Sequence, residues 1–183
     1  MIRNSVFSLF LVLVGCSAAS AQYYAQHTAR PLSEIKQAFP YDIGLVASDA
    51  TTDSLDVNSA DILGQHLGKR PVVMMFWLTT CGPCKMELAE LSQRMEQWKA
   101  KADFAFVPVS FDFPRRRADF HSRAREYPWT SYLDVDREFP LVMPGRLNGV
   151  PQIFVFDEAG KQIFHRRKYR AGDLDALAEV LGI

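Results

Sequence analysis

Cys81 and Cys84, separated only by Gly82 and Pro83, carry the most chemistry of any residues in this 183-residue sequence. A C-x-x-C pair spans about one helical turn, which brings two sulfurs within bonding reach. Such a pair shuttles between dithiol and disulfide, a two-electron change made by thiolate attack on a sulfur. A structural cross-link at this spacing would close too small a loop to stabilise the chain. A zinc site would need two more ligands, and no second C-x-x-C or close His pair completes one. His27, His66, His121 and His165 lie far apart, so each is expected to be a surface or structural residue and no metal is expected.

Pro71 to Trp77 (PVVMMFW) is a continuous apolar run with β-branched and aromatic members, the pattern of a strand buried on both faces. It leads directly into the cysteines. After them Leu88, Leu91, Met95 and Trp98 recur at helical spacing with charged residues between, an amphipathic helix. The dithiol therefore stands at a strand-to-helix junction. There the unpaired N–H groups and the helix dipole favour a thiolate on Cys81, the expected nucleophile. Cys84, a turn further in, is the expected resolving thiol. Gly82 lets a partner chain approach the sulfur, and Pro83 suits a first helical turn because its missing N–H would be unpaired there anyway.

Elsewhere the elements alternate. Residues 104–111 (FAFVPVSF) form a second buried strand, in which Pro108 counts mildly against a central position. Residues 115–127 look helical and stop at Pro128, and Pro140 and Pro144 break up the next stretch. Residues 152–156 and 162–166 flank Asp157-Glu158-Ala159-Gly160 and should pair as an antiparallel hairpin, with a closing helix at 173–181. Ahead of the first strand, short helices are expected from Pro31 to before Pro40 and at 59–67, the second closed by Gly68. Residues 17–52 show no sustained period. The order describes an α/β domain, a mixed central sheet flanked by helices.

The run FWLTTCGPCKMEL, Phe76 to Leu88, resembles the active-site segment of the thioredoxin superfamily. Together with an export-type N-terminus, it resembles the TlpA/ResA branch of periplasmic or membrane-tethered reductases. The resemblance covers about residues 55–183 and implies a thioredoxin fold with an N-terminal extension. In that fold a cis-proline opens the strand beside the disulfide, and Pro151 of Asn148-Gly149-Val150-Pro151-Gln152-Ile153-Phe154 matches it. The long interval from Cys84 to Pro151 fits the branch's insertion of a strand and helix. The resemblance implies catalysis by Cys81 and Cys84, with Trp77, Gly82, Pro83, Val150 and Pro151 against the substrate, which pairs with the Val150 backbone as an added strand.

Three positions depart from the family. Plain thioredoxin has a buried carboxylate where Met75 stands, so the Cys84 proton needs another route, water or Glu87. Thr80 replaces the common second tryptophan. Leu88-Ala89 lacks the proline that kinks the helix in many members.

Residues 1–15 have the form of an export signal, with Arg3 ahead of an apolar run from Val6 to Val14 too short to span a bilayer. Leu13-Val14-Gly15-Cys16 resembles a bacterial lipobox, which would make Cys16 a lipidated N-terminus. Ala19-Ser20-Ala21 is an alternative A-x-A cleavage site that would remove Cys16. The expected organisation is a signal peptide at 1–21, a tether or cap at 22–54 and the thioredoxin-like domain at 55–183.

Composition supports one globular domain, with 48% hydrophobic residues. Lys and Arg number 21 against 21 Asp and Glu, so no global field favours nucleic acid or a strongly charged partner. Arg115-Arg116-Arg117 and Arg166-Arg167-Lys168 are expected to be a solvated helix start and a charged strand edge. Asp112 follows the second strand, within possible reach of the active-site edge.

The expected function is an extracytoplasmic thiol:disulfide oxidoreductase, in particular a reductase of disulfides in exported proteins. No cofactor beyond the Cys81–Cys84 couple is expected. The resemblance suggests apocytochrome c as a substrate and a membrane donor of the DsbD/CcdA kind. One alternative is a peroxiredoxin-like peroxidase, disfavoured because Met74 and Leu78 stand at its proline and threonine positions. Another is a non-catalytic module that holds a partner or a copper ion.

Overall fold

The computed structural model describes residues 32–36, 38–50 and 57–183. The export signal, Cys16, His27 and the start of the tether lie outside the described residues. The strands are β1 (Gly44–Ala47), β2 (Val57–Asn58), β3 (Val72–Trp77), β4 (Ala105–Ser110), β5 (Tyr132–Leu133), β6 (Gln152–Phe156) and β7 (Gln162–Arg167). The helices are α1 (Ser59–Gly64), α2 (Gly82–Lys101), α3 (Arg117–Ala124), α4 (Phe139–Val142) and α5 (Leu174–Val180). The strands join one sheet in the order β2-β1-β5-β4-β3-β6-β7. β3 runs parallel to β4, and β4 to β5, while the other pairs are antiparallel.

Every residue of β3 is buried. Alternation along the strand divides them between two cores. Val72, Met74 and Phe76 join Tyr41, Phe139 and Phe154 on one face. Val73, Met75 and Trp77 join Leu88, Leu91 and Phe120 on the other. The apolar stripe of α2 lies against this second face, with Leu88, Leu91, Met95 and Trp98 all buried. Each such side chain contributes roughly 1.5–3 kcal/mol on leaving water. α2 runs unbroken through Leu88 and Ala89, as the missing proline allows.

The sheet begins earlier than residue 55. β1 lies within the stretch read as a tether or cap, yet it pairs with both β2 and β5, and Leu45 and Val46 are fully buried. A strand of four residues is too short to show a period. Pro108 does lie on an interior strand, but the β4 residues that pair with β5 are Val109 and Ser110, so the proline precedes that ladder. Residues 115–127 divide into a 3-10 turn at Pro114–Arg116 and α3, which ends at Ala124. At the N-terminal side the described residues form a 3-10 turn, Leu32–Glu34, where the sequence suggests a short helix.

The hairpin forms as expected. Gly160 closes its turn at φ +79, and an added Cβ there would meet the Phe39 ring at 2.8 Å. Phe39 stacks on Phe156 at 4.6 Å, tying the segment before β1 to the hairpin.

Candidate active site

β3 delivers the chain to its C-terminal edge, where Leu78 to Thr80 turn into α2. Cys81 is the N-cap of α2, in extended conformation, and its Sγ accepts the Cys84 N–H at 3.1 Å. A cap places its side chain over the unpaired N–H groups of the first turn. Here that side chain is a sulfur. Cys81 and Cys84 are joined as a disulfide of 2.06 Å. Cys81 is half-buried and Cys84 fully buried, while Gly82 and Pro83 are exposed. One sulfur thus meets the surface and the other faces the core.

The loop before Cys81 is tied to β4. Asp112, buried, accepts from the Thr79 N–H at 2.8 Å and the Thr79 hydroxyl at 3.0 Å. The Ser110 hydroxyl donates to the same carboxylate at 2.7 Å. On the other flank of β3 the register pairs Phe76 with Gln152, which sets Pro151 beside the end of the strand. The Val150–Pro151 bond is cis. Cys81 and Val150 both pack against the core cluster that contains Cys84.

Behind the dithiol lies a second buried carboxylate. Glu87 is wholly buried on α2, three residues after Cys84, and is ion-paired with Arg166 of β7. Arg166 also pairs with Asp173 at 3.3 Å and donates to the Lys168 carbonyl at 2.6 Å. Burial pulls the Arg166 guanidinium below its ordinary pKa, and Asp173 pulls it back up. The Oε2 atom of Glu87 has no hydrogen-bond partner among the described residues. A third acid, Asp134, accepts the N–H groups of Glu138 and Phe139 at the start of α4. Burial pushes it up to about 7 against those two bonds.

A family model described as a thioredoxin-like domain matches residues 60–177. The chain belongs to that thioredoxin-like family. The solved structures it resembles agree. An uncharacterised thioredoxin-like protein from Porphyromonas gingivalis superposes with a TM-score of 0.62 at 20% identity, over 77% of this chain and 88% of that one. A putative thiol:disulfide interchange protein DsbE from Chlorobium tepidum gives 0.55 at 28% identity, over 64% and 80%. A secreted disulfide oxidoreductase from Mycobacterium tuberculosis gives 0.53 at 19%, over 69% and 87%. No curated protein matches the sequence. The thioredoxin fold is thus shown, and the chain is an oxidoreductase of the thiol:disulfide class.

Within this thioredoxin-like site, the structure gathers Cys81, Gly82, Pro83 and Cys84 on one turn and brings Val150 and Pro151 to the adjacent strand end. Trp77 does not join them at the surface. It is fully buried against Phe120, with ring centroids 5.9 Å apart, beneath the turn that carries the cysteines. Met75 is likewise buried and apolar, and Thr80 is exposed. Two histidines hold the fold: His121 Nδ1 lies 3.1 Å from the Ser48 carbonyl, and His165 bonds Gln152 and stacks on Phe154. No cluster of His, Cys, Asp and Glu suited to a metal occurs among the described residues.

Two basic side chains depart from the solvated positions expected of their runs. Arg117 is buried, and the Arg166 side chain is only 13% exposed. The signal in the sequence is Glu87 itself, a carboxylate on the stripe of Cys84, Leu88 and Leu91, which demands a cation from another element.

Proposed function

We propose that this chain reduces disulfides in extracytoplasmic proteins. The observation that carries the reading is the Cys81 sulfur, partly exposed at the N-terminus of a 20-residue helix and accepting the Cys84 N–H, with Cys84 buried behind it. That N–H and the helix dipole favour the Cys81 thiolate. The thiolate attacks a substrate disulfide, forms a mixed disulfide and expels one substrate thiolate. Cys84 then loses its proton and attacks Cys81 Sγ, which releases the second substrate thiolate. Two electrons pass to the substrate, and the chain ends as its own disulfide. No cofactor enters the exchange. An outside dithiol must restore the reduced couple, a role that suits a membrane donor of the DsbD/CcdA kind.

Glu87 is the proposed proton acceptor for Cys84. Helical side chains lean toward the N-terminus, so the carboxylate lies over the turn that holds Cys84, with Oε2 free among the described residues. Gly82 and Pro83 give the substrate access to the Cys81 sulfur. Val150, just ahead of Pro151 at the strand end, offers backbone groups with which an extended substrate segment pairs. The reductive direction rests on the C-G-P-C core, and apocytochrome c is a candidate substrate by resemblance. Location outside the cytoplasm rests on the N-terminal signal, with a lipid anchor at Cys16 or cleavage after Ala21. No described helix is long and apolar enough to cross a membrane.

The deciding experiment equilibrates the couple with thiol buffers and reads its reduction potential. A value below about −200 mV supports the reductase, whereas one near about −120 mV, the range of strong oxidants, overturns it. Cys81→Ser should abolish turnover; retained function would leave only a binding module.

A further inference from the structure

Balanced charge over the whole chain conceals an uneven distribution at the active-site edge. The groove beside Val150 and Pro151 is a cavity of about 310 Å³ whose charged lining residues are Arg167 and Lys168. Neither has a carboxylate within ion-pair distance among the described residues. The Lys168 N–H donates to the Pro151 carbonyl at 2.9 Å, which fixes the backbone of this cation at the substrate groove.

The opposite flank repeats the pattern. Phe113 directly follows Asp112, whose carboxylate holds the loop before Cys81, and its ring is 45% exposed. Arg115 and Arg137 lie over that ring at 4.7 and 4.0 Å and have no ion-pair partner among the described residues. Arg137 also donates to the Phe111 carbonyl at 2.6 Å and Arg167 to the Gly145 carbonyl at 3.4 Å, but neutral partners leave the charge uncompensated. Cations with no carboxylate partner keep their field for an incoming molecule, and cations on both sides of a reactive sulfur focus it there.

We infer that the site selects disulfides flanked by acidic residues. The inference rests on the proposed reductase activity and names its substrate class. A substrate segment paired with Val150 would set its alternate side chains toward Arg167 and Lys168, so a Glu or Asp near the target cysteine meets those two cations. An acidic residue on the other side meets Arg115 and Arg137 beside Phe113.

The test uses the full chain, a thiol recycling system and three disulfides: hydroxyethyl disulfide and two peptides identical except for Glu or Lys beside the cysteines. The wild type should show kcat/KM about fivefold higher for the Glu peptide at low ionic strength, shrinking as salt screens the charges. Arg167→Glu with Lys168→Glu should reverse the ratio, a readout in which any general loss of folding or activity cancels. Equal rates for the two peptides in the wild type would overturn the inference alone. No turnover of any of the three disulfides would overturn it together with the reductase activity. Equal peptide rates, with wild type but not the double variant held on anionic phospholipid vesicles, would assign the cations to a membrane and overturn it too.

Discussion

Two buried carboxylates flank the dithiol, and they are satisfied by opposite means. Among the described residues Asp112 accepts from neutral donors, the Thr79 N–H, the Thr79 hydroxyl and the Ser110 hydroxyl, all at the edge shared by β3 and β4. Glu87 takes one oxygen to the guanidinium of Arg166, on β7, and leaves Oε2 without a partner among the described residues. Neutral donors hold a charge by geometry, and the two from Thr79 fix the loop that presents Cys81 to the end of β4. A cation holds a charge by compensating it, and the spare oxygen leaves capacity for a proton. One acid shapes the nucleophile's platform; the other is the proposed proton acceptor behind it.

Breaking the ionic side should have the larger effect. Arg166→Met removes the cation and leaves Glu87 charged and uncompensated in the core, a loss of about 3–5 kcal/mol. Urea denaturation of the oxidised chain measures it. Adding Glu87→Leu should restore most of that loss, because a well-packed apolar pair avoids the desolvation of both charges. A single variant losing under about 1 kcal/mol would show that water reaches the pair, and the contrast with Asp112 would disappear.

The neutral side should give less in stability and more in rate. Asp112→Ala strands the buried Thr79 N–H, a cost of about 1–3 kcal/mol. It also frees the loop that ends at Cys81, so kcat/KM for disulfide reduction should fall about tenfold, since small displacements of a reacting atom are costly. Asp112→Asn keeps one acceptor oxygen and should recover part of the rate. If Ala and Asn variants turn over like the wild type, the carboxylate supports the sheet edge and does not position Cys81.

The same contrast separates what is legible in the sequence from what is not. The dithiol, its strand and its helix are readable because each has a periodic or motif signal: PVVMMFW for a strand buried on both faces, Leu88 to Trp98 for an amphipathic stripe. The cis bond at Pro151 comes from resemblance, since a proline alone does not declare its isomer. Trp77 is buried beneath the site because a motif gives order along the chain, whereas the strand's alternation decides the face. Arg166 is the hardest to see. Its run of Arg166-Arg167-Lys168 looks uniformly solvated, yet alternation on β7 turns Arg166 inward and Arg167 outward, and Lys168, past the end of the strand, is exposed as well. Glu87 on the apolar stripe is the clue, but its partner lies across the fold and no local pattern connects them. β1 escapes a reading of the sequence because four residues carry too little pattern, and its burial depends on β2 and β5 rather than on its own sequence.

The exposed counterpart of the Arg166 pair gives the smallest effect and isolates burial as the cause. Arg94 of α2 bonds Asp175 of α5 at 2.9 Å, close in sequence to Glu87 on one side and Asp173 on the other. The Arg94 side chain is 34% exposed and that of Asp175 75%, so both charges stay hydrated whether paired or not. Pairing them gains little Coulomb energy and costs the freedom of two side chains. Arg94 also pairs with Glu90 at 2.7 Å, which preserves part of its environment when Asp175 is changed. Asp175→Asn should therefore shift stability by no more than about 0.5 kcal/mol, and by less still as salt is raised. The same denaturation series at two salt concentrations reads both variants: the Arg166 loss should persist in salt, because its partner is shielded from ions. If Asp175→Asn instead cost as much as Arg166→Met, connection between α2 and the C-terminal elements, and not burial of charge, would explain both.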